Sequence, residues 1–550
     1  MIKRHKYRLD VLRQLRPYAK GIEVLFWVKL LCGIILLCTA MLTPVLYSIF
    51  IEDIILKGNS RMLWVVIIGY IVVQLVNTGI AYIRNYCTYS LNNQISRKMR
   101  LDILDRKLKL DFTEYNNINV GNEKLLLNES VYQLLDFTGV QTVDNLINIG
   151  KTLIFLVVLF LIEWRLAMIM IITIPFSFMI NNHNAKLSKK NNEEMWQNDK
   201  AWGNWIYNSG ASWREVRALN MENRCEEIFD GYSQKYQNIY RKNIQLWVTR
   251  RFIIPKIKDE FLMQFLLYFL GGIAIFFGYI SIGSLLIFGQ YFLQLTEALR
   301  AVVDADNDLE INSVVYNRAL EAAKIKIVDT FNPSIKIENC RIELNNVTFR
   351  YESGNTDILK NFSLTIEPGE RIGIVGESGK GKTTLLHLIV GMLKPIEGEI
   401  RFGNQLLSEL RIQDVHRKIG FVPQENSLFN TTIRENMLYG NENATDEEIA
   451  AACKKAYISD FIEALPDKYD TVVGENGIKL SGGQKQRLVL ARLFLRDVDV
   501  FILDEATSAL DQHAESVIQD AISSIGDDKT IIIVSHRESS LSICQRLVYL

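Results

Sequence analysis

Long uncharged runs alternate with polar stretches through the first three hundred residues, and the pattern changes character near residue 340. Residues 24–51 carry one charge, Lys29, and residues 62–83 carry none. Each run exceeds the ~18–20 residues that a helix needs to cross a bilayer. Residues 146–162 carry only Lys151 and are parted from the apolar run 166–180 by Glu163, Trp164 and Arg165, a polar break suited to a hairpin of two spans. Residues 261–296 are free of charge for longer than one helix requires, and glycines punctuate them, so the run divides near 281–283. The pattern predicts six spans, near 24–51, 62–83, 143–162, 166–181, 259–280 and 284–305. A short run such as 166–180 taken alone also fits an internal helix of a soluble protein, and only its company argues otherwise.

Six spans put both chain ends on one side. Lys3, Arg4, Lys6, Arg8, Arg13, Arg16 and Lys20 precede the first span, whereas the expected outer loops hold Lys57, Arg61 and Arg165. Positive charge on the inner side therefore places residues 1–23 in the cytoplasm of a multi-pass protein of the cell membrane. The first apolar run is about twice the length of a signal-peptide core, so a retained span is expected.

After residue 340 the chain reads as soluble α/β. The strand pattern at 371–375 leads into Gly376, Glu377, Ser378, Gly379, Lys380, Gly381, Lys382 and Thr383, and a helical pattern opens at Thr384. Strand, glycine-rich turn and helix in this order form a phosphate cradle. Backbone N–H groups and the helix N-terminus supply positive potential, Lys382 adds a full charge, and the Thr383 hydroxyl can ligate Mg²⁺. Without such context a turn of this composition needs no ligand at all. Further on, the apolar run 498–503 ends in Asp504 and Glu505, at the strand end where open α/β sheets bind ligands. Paired carboxylates there suit two tasks in phosphoryl transfer: Asp504 to hold a metal ion and Glu505 to orient or deprotonate water.

The last two hundred residues closely resemble the ATP-binding cassette family, motif by motif. Tyr351 resembles its adenine-stacking aromatic, 376–383 its Walker A loop, and Gln424 the Q-loop glutamine that touches Mg²⁺. Residues 471–477 resemble the exporter-type X-loop, and Leu480 with Ser481, Gly482, Gly483 and Gln484 the signature. After Asp504 and Glu505, Asp511 ends a D-loop and His536 stands as the switch histidine. Taken singly, Tyr351 reads as a core strand aromatic and His536 as a polar strand-end residue; their order and spacing decide for the family. The resemblance implies catalytic roles for Glu505, His536 and Gln424. It implies ATP binding by Tyr351, 376–383, Thr384, 481–484 and Asp511, and Mg²⁺ binding by Thr383, Gln424 and Asp504. Lys380 stands where relatives usually carry a small residue, which touches nucleotide affinity rather than chemistry. The chain ends at Leu550, where relatives normally continue through a further strand and a short helical tail.

The implied architecture is a half-size exporter. An all-α six-helix transmembrane domain over 24–331 is followed by a linker at 332–340 and an α/β P-loop NTPase domain over 341–550. In the family, the signature of one chain closes over the phosphate loop of another, so a second half-transporter chain is the expected partner, most simply an identical one. Two polar helical stretches carry segments at the places of coupling helices, 111–121 and 209–217, the second exposing Trp213 beside Arg214 and Arg217. The expected activity is ATP hydrolysis driving export by alternating access, with a peptide, a lipid or a hydrophobic small molecule as cargo. The alternatives are import of a siderophore-like cargo by the same fold, or an ATP-gated membrane regulator that pumps nothing.

Composition narrows this little further. Seven scattered cysteines contain no CxxC pair and so no zinc site or disulfide framework, and 62 basic residues balance 62 acidic ones with no basic platform for nucleic acid. Glu297, Asp304 and Asp308 recur on one helical face near the end of the sixth span. They read either as a lure for cationic cargo or as the solvated face of a cytosolic extension.

Overall fold

The computed structural model describes residues 2–110, 112, 123, 126–135, 142–171, 174–254, 256–325, 337, 339–351, 354, 356–377, 379–424, 426–505 and 512–550. They fall into two compact units. The first comprises Met1–Leu108 and Asn117–Lys326, and the second comprises Lys109–Asn116 and Ile327–Leu550.

The first unit is helical throughout its described residues. Three of its segments, Glu23–Leu56, Ser60–Leu108 and Thr142–Ile169, are long and apolar enough to cross a membrane. The 46-residue helix Leu63–Leu108 has a length near 70 Å at 1.5 Å per residue, about twice a bilayer's hydrocarbon thickness, so more than half of it lies outside. Trp64, Ile68, Ile71 and Leu75 at its start are exposed, as side chains that meet lipid should be. The helix Thr142–Ile171 is broken at Glu163, whose φ of −157° and ψ of 99° are extended, at the polar break separating two apolar runs. Helix Met263–Phe276 ends before Ile282–Ile311 begins. The second of these is capped by Ser281, whose Oγ accepts from the Ser284 N–H at 3.0 Å.

Packing in this unit gathers on Ile282–Ile311, which buries Phe288, Leu295 and Leu309. Phe155 stacks on Tyr291 at 5.4 Å, and the Tyr291 hydroxyl donates to the Met41 carbonyl at 2.8 Å. At the other end of the long helices, Met99 and Ile103 pack with Val131, Leu134, Tyr316 and Ala319. Ile174–Ala211 and Glu222–Val248 flank the short helix Trp213–Ala218, on which Trp213 is exposed with Arg214 over its ring.

The second unit joins two sheets. Strands β1 (Ile342–Phe349), β2 (Leu359–Ile366), β4 (Glu397–Phe402) and β5 (Gln405–Leu406) form an antiparallel sheet in the order β2-β1-β4-β5. Strands β3 (Arg371–Val375), β6 (Ile419–Val422), β7 (Val500–Asp504), β8 (Thr530–Val534) and β9 (Arg546–Tyr549) form a parallel sheet in the order β6-β7-β8-β3-β9. All five residues of β7 and of β8 are buried, which explains their unbroken apolar sequence: a central parallel strand is covered on both faces. One core lies between the sheets around Ile342, Leu344, Ile372, Leu385, Leu386 and Phe402. A second, around Ile433, Met437, Cys453, Ile462 and Leu488, carries a helical layer that includes Gly482–Phe494. Phe112 belongs to this second unit. Its ring is partly buried against the first core, 4.8 Å from the ring of His387.

Asn436, fully buried, ties that helical layer together. Its side chain accepts from the Phe429 N–H at 3.0 Å and from Arg492 at 2.8 Å, and donates to the carbonyls of Phe429 and Thr432 at 2.9 and 3.0 Å. Every polar group it exposes inside is matched, and Arg492, pulled down by burial, is matched by the same residue. Asn436→Ala removes the acceptor of Arg492 Nη2 and the side-chain bonds to Phe429 and Thr432, leaving the guanidinium only its backbone partners. It should cost about 3 kcal/mol, read by scanning calorimetry of the full chain as an earlier transition of the second unit; an unshifted transition refutes the assignment.

Candidate functional site

Three adjacent strands of the parallel sheet bring the candidate site together at one edge. β3 runs into the loop 376–383, β7 ends at Asp504 with Glu505 beyond it, and β8 leads through Ser535 to His536. The loop turns into helix Lys382–Ile389 through Gly379 (φ 84°) and Gly381 (φ 94°), a backbone region that favours glycine. A Cβ at Gly381 would stand 2.6 Å from Ile358 Cγ2, so the position excludes a side chain on space as well as on conformation.

Lys382 lies buried under the loop. Its ammonium donates to the carbonyls of Gly376 at 2.7 Å and Glu377 at 3.0 Å and meets His536 Nε2 at 3.1 Å. A lysine can only donate, so Nε2 accepts and the imidazole proton sits on Nδ1. The three protons of the ammonium are thereby matched. A phosphate oxygen entering the cradle exchanges with these acceptors, and the backbone N–H groups of the loop supply the rest of the binding.

The carboxylates differ in surroundings. Asp504 is 1% exposed, and its Oδ2 accepts from the Thr383 hydroxyl at 3.0 Å. Burial first, then the adjacent Glu505 charge, push its carboxyl above the ordinary range, against the pull of Thr383 and Lys382. Glu505 is held by Gln424, whose Nε2 donates to Oε2 at 2.8 Å, while Oε1 lies 3.5 Å from His536 Nε2 without a hydrogen bond to it. Its φ of 47° is unusual for a residue with a side chain, and its own N–H bonds to the Val534 carbonyl at 2.9 Å, which fixes that backbone.

These donors fit Mg²⁺. A buried carboxylate whose charge burial disfavours, beside a hydroxyl and a primary amide, is a hard-oxygen set that a divalent cation would relieve. When bound, the ion would neutralise charge on the nucleotide's phosphates.

Tyr351 is half-exposed, edge-on to Phe349 at 5.0 Å, and its hydroxyl lies 3.1 Å from Thr384 Oγ1. Strand β1 and the phosphate-loop helix thus position it together. The Lys380 side chain is exposed. Ser378 and Asp511 lie outside the described residues, as does most of the 332–340 segment and, Phe112 apart, the 111–121 segment.

The signature residues stand apart. Ser481 caps helix Gly482–Phe494, with Oγ accepting from the Gln484 N–H at 3.3 Å while Gln484 Oε1 accepts from the Ser481 N–H at 2.9 Å. Arg487 donates to the carbonyls of Gly483 at 3.3 Å and Tyr457 at 2.6 Å. Among the described residues, no hydrogen bond joins 481–484 to the phosphate loop. What remains is a helix N-terminus open to an anion from outside this chain.

Two supports were invisible in the sequence. Glu515 accepts from Arg537 and Ser539, and so anchors the turn after His536 to helix Gln512–Ser523. Arg487 has the same kind of supporting role at the signature. Neither has a motif, because each pairs with residues distant in sequence or with backbone.

Comparison with known proteins bears on both units. Residues 359–508 match the family described as ABC transporter, and residues 26–299 match the ABC transporter transmembrane region. Over 560 residues the chain is 29% identical to an ATP-dependent lipid A-core flippase of Syntrophus aciditrophicus (strain SB), covering 99% of this chain and 90% of that protein. It is 30% identical over 561 residues to a Staphylococcus aureus (strain NCTC 8325 / PS 47) protein that carries the provisional name of a multidrug export ATP-binding/permease protein. That match covers 100% of this chain and 94% of the relative. A solved bacterial Atm1-family ABC exporter with ATP bound shares the fold, with a TM-score of 0.85 at 22% identity over 96% of this chain and 94% of that one.

Lys382→Ala should remove ATP binding, and Glu505→Gln should keep it while lowering hydrolysis by at least a hundredfold, measured as nucleotide retention beside phosphate release. Hydrolysis that survives Glu505→Gln would displace that residue from its role.

Proposed function

This chain belongs to the ABC transporter family, with its membrane region and its ATPase on one polypeptide, and from that premise we propose a homodimeric exporter whose two ATP sites are each completed by the other chain. The observation that carries the reading is the set of side chains around Glu505. Gln424 and His536 flank its carboxylate, Lys382 reaches the same histidine, and Thr383 with Asp504 offers hard oxygens beside it. A protein that only sensed ATP would have no need of so complete a hydrolytic set.

Hydrolysis proceeds by positioning. Glue to the phosphates comes from the loop N–H groups and Lys382; Glu505, held by Gln424, aligns a water with the γ-phosphate and takes its proton; His536 stands at the same phosphate. The capped N-terminus at Ser481 supplies the missing wall from the second chain, so ATP binding draws two copies together and product release parts them. Phe112 on the core beside His387 links that cycle to the long helix ending at Leu108.

The cargo we infer is a lipid or another amphipathic molecule, in keeping with relatives named for lipid A-core flipping and multidrug export. A peptide remains within the same chemistry. A cationic cargo drawn by the acidic face is less well supported, since Asp304 pairs with Arg251 at 3.6 Å and the nearby Asp306 with Arg8 at 2.9 Å.

Two experiments test this. Lys382→Ala and Ser481→Arg chains should each be inactive alone, yet their co-assembly restores one intact site per mixed dimer, so part of the ATP turnover returns. No recovery would exclude sites shared between copies. Mass spectrometry of medium, cells and lipids should then show a compound retained by cells carrying Glu505→Gln and released by wild type; uptake by wild type alone would reverse the direction.

A further inference from the structure

A cavity of about 320 Å³ lies within the helical unit, lined by Lys107, Ser130, Trp196, Arg318 and Glu321 together with Glu123 and apolar neighbours. Its volume falls in the lower range of small-molecule sites. The catalytic machinery makes no use of it.

Its chemistry centres on Arg318. The guanidinium carbon sits 3.2 Å from the centroid of the Trp196 ring, which fixes the plane of the group and leaves its edge free to donate. Nη2 is buried and has no hydrogen-bond partner among the described residues. Burial pulls Arg318 down to about 10, and among the described residues no carboxylate pairs with it. The other charges are accounted for. Lys107 is paired with Glu123, and Lys200 lies 5.7 Å from the same indole, while Glu321 lines the cavity without pairing to Arg318. A stacked, charged, unpaired fork in a cavity calls for a planar or tetrahedral oxyanion.

The place decides the source of that anion. Lys107 lies on the unbroken helix Leu63–Leu108, and 24 residues of helix from Ile83 at 1.5 Å each put it roughly 36 Å beyond the uncharged run. Lipid headgroups extend only a few ångströms past the hydrocarbon, so they do not reach it. We propose that this cavity binds a small soluble oxyanion, a phosphorylated or carboxylated metabolite, through Arg318 on Trp196, and that occupancy tunes the transport cycle. Its cytoplasmic placement rests on the topology inferred above; the binding itself does not depend on what the protein transports. The means of tuning is the chain path. Lys107 and Ile325, both lining the cavity, stand two residues before the chain passes into the nucleotide-binding unit at Lys109 and at Ile327.

The test uses full-length Glu505→Gln protein in lipid nanodiscs, saturated with Mg-ATP so that the phosphate loop is occupied. Equilibrium dialysis with labelled glycerol 3-phosphate and with labelled succinate should show saturable binding of at least one probe, one per chain, and the stronger probe tells phosphate from carboxylate. Arg318→Ala should weaken it at least tenfold. Glu321→Gln should strengthen it severalfold by removing a facing negative charge, a gain that misfolding cannot imitate. Failure of both probes to saturate at millimolar concentration, or affinities unmoved by both substitutions, would overturn the proposal.

Discussion

The order β7-β8-β3 in one parallel sheet is the constraint from which the ATP site follows. Parallel strands end on the same edge, so three neighbours deliver Glu505, His536 and the phosphate loop within reach of one another although Glu505 stands 129 positions after Gly376. The strands are buried on both faces and cannot slide without exposing their apolar side chains. Register therefore fixes chemistry. Asp504 pairs with Val534, two residues before His536, and this brings a carboxylate, a histidine and Lys382 to the same few ångströms.

That edge was legible in the sequence because its signals are local. A phosphate loop needs glycines, a lysine and a hydroxyl at fixed spacing; a metal-binding carboxylate needs the end of an apolar strand. The break at Glu163 and the division near 281–283 were legible for a similar reason: polar residues or glycines interrupting an apolar run mark a helix end. What escaped was pairing at a distance. Asn436 with Arg492, Glu515 with Arg537, Phe112 with His387 and Arg318 with Trp196 each join side chains whose partner no periodicity names. Amphipathic helices leave many polar positions equivalent in sequence, and only packing chooses among them.

The two ATP-site halves obey different rules within one chain. In the phosphate-loop half, the Lys382 ammonium finds three acceptors within the chain. The signature half is satisfied only laterally, through the reciprocal Ser481 and Gln484 bonds and the Arg487 brace, and its helix end points outward. A helix N-terminus attracts an anion modestly in water and far more where water is excluded.

On the proposed reading, nucleotide binding has little effect until a second chain completes the site. In one chain, a phosphate entering the loop trades existing hydrogen bonds of Lys382 for new ones, which gains little net free energy. When a second helix end covers the same phosphates, solvent leaves and each contact strengthens, so the energy available to move the membrane helices is realised at closure. Asp504 takes part in the same balance. Burial pushes its carboxyl up, so holding it charged carries a cost that a bound cation would relieve. An ATPase built this way spends its binding energy on association, and association is the event a membrane pump must transmit.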